Sequence, residues 1–185
     1  TFGLDDYYDK LGGFLKRKKV RARIYGKSFS KGVESVHLEA KHKHDMYIGK
    51  KRTSVSGEVW KSFIGGLSDE VLDEFGLAIK TEGRVPTAIV RYEREAFVET
   101  FFGRVRLTFD KNIEVIKYDN LEPLGNYDYD TTSVLDSHVV MEIKFNKSLP
   151  WWFGFMVREF DLKRGAYSKY AHALDKIYMH NPLPR

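Results

Sequence analysis

Cysteine is absent from the 185-residue chain, which excludes a disulfide scaffold, a thiolate zinc site and a cysteine nucleophile. No window approaches about 18 uninterrupted apolar residues, so no membrane-spanning helix is expected. No basic stretch followed by an apolar one opens the chain, and nothing in it argues for secretion. Only five prolines, beside 15% aromatic residues, argue against disorder. No Gly-Lys-Ser/Thr sequence follows Gly12-Gly13, so P-loop chemistry is not indicated. The acids between Asp128 and Asp136 lack the glycine-centred spacing of a calcium loop. What remains is a single mildly basic domain, 1–185, expected in the cytoplasm and large enough for a real core.

Charge is unevenly spread. Residues 1–60 carry 14 Lys/Arg against 7 Asp/Glu, a net of +7, whereas the remainder carries 17 against 19, a net of −2. A cationic first third suggests a polyanionic ligand. Lys16-Arg17-Lys18-Lys19 reads best as an attractor for such a ligand.

Turn signals and periodicity give an α+β chain whose strands are mostly joined by connections too short for a crossover, hence antiparallel. A helical turn is expected at 5–11 and strands at 19–25, 34–43 and 46–55, the last two joined by a turn at His44-Asp45. Helices follow at 57–65 and 69–80, with Ser68 as N-cap. Strands are expected at 85–97, 104–110, 112–118 and 138–145. Pro150 then opens an aromatic helix at 151–161, and a last helix covers 167–178. Trp60, Trp151, Trp152 and Phe153 read as packing residues.

The strands share one pattern. Val20, Ala22 and Ile24 oppose Lys19, Arg21, Arg23 and Tyr25; Val36, Leu38 and Ala40 oppose His37, Glu39, Lys41 and Lys43. Val105, Leu107 and Phe109 oppose Arg104, Arg106, Thr108 and Asp110; Val139, Met141, Ile143 and Phe145 oppose His138, Val140, Glu142 and Lys144. Period-two alternation gives each strand an apolar and a charged face. Solvated faces do this too, but these repeat arginine, whose planar fork suits bidentate contact with phosphate. Closing such a sheet with charged faces inward would make a cationic tunnel without free edges. His37 and His42 fall on opposite strand faces, which argues against a zinc site built from them and His44.

These segments resemble the VTC-type polyphosphate polymerase domain, a branch of the triphosphate tunnel metalloenzymes (the CYTH-like group). The resemblance rests on Lys18–Gly26, Leu38–Lys43, Lys50-Lys51-Arg52, Val90–Phe97, Arg104–Asp110, Met141–Phe145 with Leu149-Pro150, and Ser168-Lys169-Tyr170. It implies an antiparallel β-barrel with flanking helices around bound triphosphate or polyphosphate. It also implies an upstream strand and helix that would precede Thr1.

By the same resemblance Arg21, Arg23, Lys41, Arg94, Arg106 and Lys169 are the phosphate ligands that carry the reaction. Glu142, with Glu39 as a second carboxylate, would hold Mn²⁺ or Mg²⁺. Lys10, Lys19, Tyr25, Lys43, Arg52, Arg104, Lys144 and Ser168 are expected to bind substrate. The implied reaction moves the terminal phosphate of ATP or another nucleoside triphosphate onto inorganic polyphosphate. Hydrolysis of triphosphate or polyphosphate, and non-catalytic binding of polyphosphate or inositol phosphates, stay open. Nucleic acid is not the expected partner; a membrane partner and the oligomeric state are not fixed by the sequence.

Overall fold

A computed structural model describes residues 4–26, 35–45, 47–66, 73–100, 104–118 and 131–178. Two compact units emerge: Thr1–Thr87 with Lys117–Asp130, and Ala88–Ile116 with Thr131–Arg185. The architecture is α+β with antiparallel sheets.

The first unit is built on three strands, β1 (Lys16–Arg23), β2 (Val36–His44) and β3 (Tyr47–Val55), in the order β1-β2-β3. Asp45 takes φ 54 at the β2–β3 turn, a left-handed conformation that Asp tolerates better than most residues. β1 begins three residues earlier than its alternation suggests, because Lys16, Arg17 and Lys18 find partners in His44, Lys43 and His42. One face is apolar: Val36 and Leu38 of β2 cluster with Phe63 of α2 (Gly57–Ile64) and Phe75 of α3 (Glu74–Thr81). Burying each such side chain contributes about 1.5–3 kcal/mol.

Trp60 packs on this cluster as expected, 6.0 Å ring to ring from Phe75. Helix α3 starts at Glu74, where the Asp73 carboxylate accepts from the Phe75 and Gly76 N–H groups at 2.9 and 3.1 Å. The expected cap, Ser68, lies outside the described residues. Helix α1 (Asp5–Leu11) packs against β1 and buries Tyr7.

The second unit holds β4 (Ala88–Val98), β5 (Val105–Lys117), β6 (Thr132–Ser133) and β7 (Val140–Phe145), with β5 pairing β4, β6 and β7. β4 begins after Pro86, which has no N–H to offer a ladder. β5 is one strand of 13 residues where alternation suggests two.

Its continuity comes with an irregularity at Asn112, whose φ is 48. Asp110 reaches Lys169 of α5 (Lys169–Tyr178), yet Ile113 and Val115 pack with Ala173 of the same helix. An even and two odd positions thus meet one helix, so the kink at Asn112 switches the face that β5 presents.

Helix α4 (Trp151–Glu159) follows Pro150 as its N-cap. It buries Phe153 but leaves Trp151 86% exposed. That position had been expected to pack; at the first turn it points away from the buried side.

Candidate functional site

In the first unit the register builds the charged face row by row. Arg17 lies opposite Lys43, Lys19 opposite Lys41 and Arg21 opposite Glu39; Lys41 and Glu39 in turn face Lys50 and Arg52 of β3. Directly paired residues share a face, so Arg17, Lys19, Arg21, Arg23, Lys41, Lys43, Lys50 and Arg52 all project from the side opposite the Phe63–Phe75 core. Three lysines abreast are unfavourable in a sheet. Burial lowers the Lys19 pKa, and Lys10, Arg17 and Lys41 lower it further. Helix α1, which packs against β1, carries Lys10 near enough for its charge to act on Lys19.

Glu39 is the one carboxylate among these rows, and it is 3% exposed. Arg21 donates to its Oε2 through Nε at 2.6 Å, with Nη2 at 2.5 Å; Lys50 Nζ is 3.1 Å and Arg52 Nε 3.7 Å from Oε1. Burial pushes the Glu39 carboxyl up. Hydrogen bonds from Arg21 and Lys50, with the charges of Arg21 and Arg23, outweigh it and hold the group at about 2. Beyond it, Arg23 donates to the Tyr25 hydroxyl at 2.9 Å. That bond lowers the phenol pKa, burial opposes it, and the charges of Arg23 and Arg52 add to the lowering. His37 pairs with Ser54 at 2.7 Å, and His42 meets Glu74.

In the second unit Arg106 lies opposite Lys144, Thr108 opposite Glu142, and Asp110 opposite Val140. Asp110 is fully buried. Arg94 of β4 grips it with two bonds, Nε to Oδ1 at 2.6 Å and Nη2 to Oδ2 at 2.7 Å, and Lys169 Nζ sits 2.5 Å from Oδ2. Burial pushes the Asp110 carboxyl up, but the bonds and charges of Arg94 and Lys169 prevail and hold it below its ordinary range. The Asp110 bond in turn raises the Arg94 pKa, against burial, with help from the Glu142 charge.

Tyr92 lies beneath both cations, 5.2 Å from Arg94 Cζ and 5.0 Å from Lys169 Nζ. Tyr167 is 5.9 Å from the same ammonium and stacks on His172 at 4.2 Å.

Most residues named from the sequence fall on these two faces. Arg21, Arg23, Tyr25, Glu39, Arg52, Lys19, Lys41, Lys43 and Lys10 belong to the first; Arg94, Arg106, Lys144, Glu142 and Lys169 belong to the second. Arg104 precedes β5 and donates its backbone N–H to Glu99 at 3.2 Å. The Ser168 hydroxyl accepts from the Ala171 N–H at 3.4 Å, a helix-capping bond. Asp110 is not among the residues named from the sequence, although its place in Arg-x-Arg-x-Thr-x-Asp was the available signal.

The two candidate metal carboxylates differ. Both Glu39 oxygens lie against cations, whereas Glu142 is exposed beside Lys144 Nζ at 3.4 Å. Among the described residues no group of three or more His, Asp or Glu is arranged to hold a metal.

Two faces are dense in Arg and Lys, and each is centred on a buried carboxylate. The chain matches the VTC domain over residues 1–178 and belongs to that family. Placement in the CYTH-like superfamily is consistent with this match, as is a polyphosphate-related function. A comparison with curated proteins finds no match. No helix among the described residues is long and apolar enough to cross a membrane.

Proposed function

We propose that the chain binds a triphosphate or polyphosphate through its basic strand faces and transfers the terminal phosphate of a nucleoside triphosphate onto inorganic polyphosphate. The observation that carries this is the Lys19–Lys41–Lys50 row beside Arg21–Glu39–Arg52. Like charges abreast, one with a lowered pKa, are relieved by a polyanion. Closure of the strands into a barrel around that anion is the part supported by the family resemblance alone.

Phosphoryl transfer asks for alignment and positive charge more than for covalent chemistry. A terminal oxygen of the acceptor chain attacks the γ-phosphorus, the bond to the β-phosphate oxygen breaks, and a nucleoside diphosphate leaves. Arg21, Arg23, Lys41, Arg94, Arg106 and Lys169 would neutralise the non-bridging oxygens, with Lys10, Lys19, Lys43, Arg52 and Lys144 extending the cationic track. Glu142 fits a divalent cation such as Mn²⁺ or Mg²⁺, with phosphate oxygens and water as the remaining hard ligands. Such an ion, when bound, supplies further charge neutralisation. Glu39, engaged by three cations, fits better as an anchor for Arg21 than as a metal ligand.

The test is incubation of the protein with ATP and Mn²⁺ and detection of phosphate polymer. Polymer that disappears in Arg106→Ala and Glu142→Gln supports polymerase action. Orthophosphate without polymer selects hydrolysis, and tight tripolyphosphate binding without turnover selects a binding module. Duplex DNA that competes as well as tripolyphosphate would overturn the proposal.

A further inference from the structure

We infer that Asp110 is a positioning residue: a carboxylate beyond the reach of solvent that fixes Arg94 and Lys169 as one oriented pair of phosphate-binding cations. The inference rests on the function proposed above and adds a residue and a division of labour to it. Three observations meet at this place.

Accessibility separates the partners. Asp110 is 0% exposed, while the Arg94 and Lys169 side chains keep 27% and 21% of their surface. An anion arriving from solvent therefore meets the cations and not the carboxylate, and a metal ion finds no open oxygen on Asp110.

The bonding is directional. Asp110 takes Nε and Nη2, the nitrogens along one edge of the Arg94 guanidinium. A guanidinium held in this way has its plane fixed, and Nη1 lies on the other edge, where a phosphate oxygen can be received. Lys169 gives one N–H to the same carboxylate and keeps two. Without Asp110, lysine is a flexible point charge with no preferred direction.

The packing removes the remaining freedom. Tyr92 lies under both cationic heads, and Tyr167 beside Lys169 is itself stacked on buried His172. Lys169 opens α5, in which Ala171 to Leu174 are buried, and Asp110 lies just before the irregularity at Asn112. The net charge of the trio is +1, so Asp110 lowers the attraction for anions while raising the order of the two groups that receive them. Orientation of this kind is expressed in turnover more than in binding.

Asp110→Asn separates the two effects. It keeps the shape and one acceptor oxygen but removes the charge. The full chain is assayed for tripolyphosphate affinity and for ATP- and Mn²⁺-dependent phosphate transfer, with a denaturation curve as the folding control. Tripolyphosphate affinity within about threefold of wild type, or tighter, together with a fall in kcat of about 100-fold, supports the inference. Unchanged kcat and affinity overturn it, as does a loss of affinity in a variant that is fully folded.

A wild type that neither binds tripolyphosphate nor turns over ATP sinks the functional proposal itself; an active wild type matched by the variant sinks only the role of Asp110. If Asp110→Asn does not fold, ¹⁵N spectra of the wild-type side chains decide. Slowly exchanging Lys169 Nζ and Arg94 Nε protons that both follow one carboxyl titrating below pH 3.8 support the inference. Freely averaged side-chain signals contradict it.

Discussion

The two basic faces solve the same problem with different stringency. In the first unit the carboxylate of Glu39 is shared among Arg21, Lys50 and Arg52 at distances from 2.5 to 3.7 Å, on side chains about half exposed. In the second, Asp110 holds two cations at 2.5–2.7 Å with no exposure of its own. The first arrangement leaves its cations room to adjust, whereas the second fixes their direction.

The largest expected difference is in stability. Arg94→Ala leaves buried Asp110 with Lys169 alone and should cost about 3 kcal/mol by urea denaturation, in the range for breaking a buried pair. Arg21→Ala leaves Glu39 with Lys50 and Arg52 and should cost about 1 kcal/mol. Equal losses would erase the distinction between the faces.

Acid gives a second comparison. The pKa of Glu39 is lowered on folding from 4.5 to about 2. Its contribution to stability is therefore complete above about pH 4.5 and is lost as pH falls through 2. Asp110, also lowered, loses its contribution in the same direction as pH falls below 3.8. In Glu39→Gln the acid-dependent loss from the first unit should shrink, read as a flatter plot of stability against pH. An unchanged slope would remove Glu39 as the anchor.

Smaller effects sharpen the picture. Lys10→Ala should raise the Lys19 pKa toward 10.5, since Lys10 is the first of the charges that lower it after burial; ¹⁵N titration reads this directly. Lys144→Ala breaks only an exposed pair with Glu142 at 3.4 Å and should change stability by less than about 1 kcal/mol.

How much of this was legible beforehand depends on the distance over which each feature is decided. In β1 and β2 the faces follow from alternation, because Val36, Leu38 and Ala40 have to reach the core and carry His37, Glu39 and Lys41 to the other side. The Lys19–Lys41–Lys50 row required strand register, which turns and pairing fix rather than composition. Asp110 stands on the charged face by alternation, but its role was not legible, because its partners lie 16 residues before and 59 after it and the break at Asn112 interrupts that alternation. Two helix starts show the local limit: the Ser168 hydroxyl accepts from the Ala171 N–H at the start of α5, and Asp73, another good cap, starts α3.

The most direct test follows the Lys19 ammonium by ¹⁵N NMR while tripolyphosphate is added. Binding on this face should raise its lowered pKa back toward 10.5, as an anion arrives among Lys10, Arg17 and Lys41. A Lys19 titration curve that does not move while tripolyphosphate saturates the protein would contradict the account.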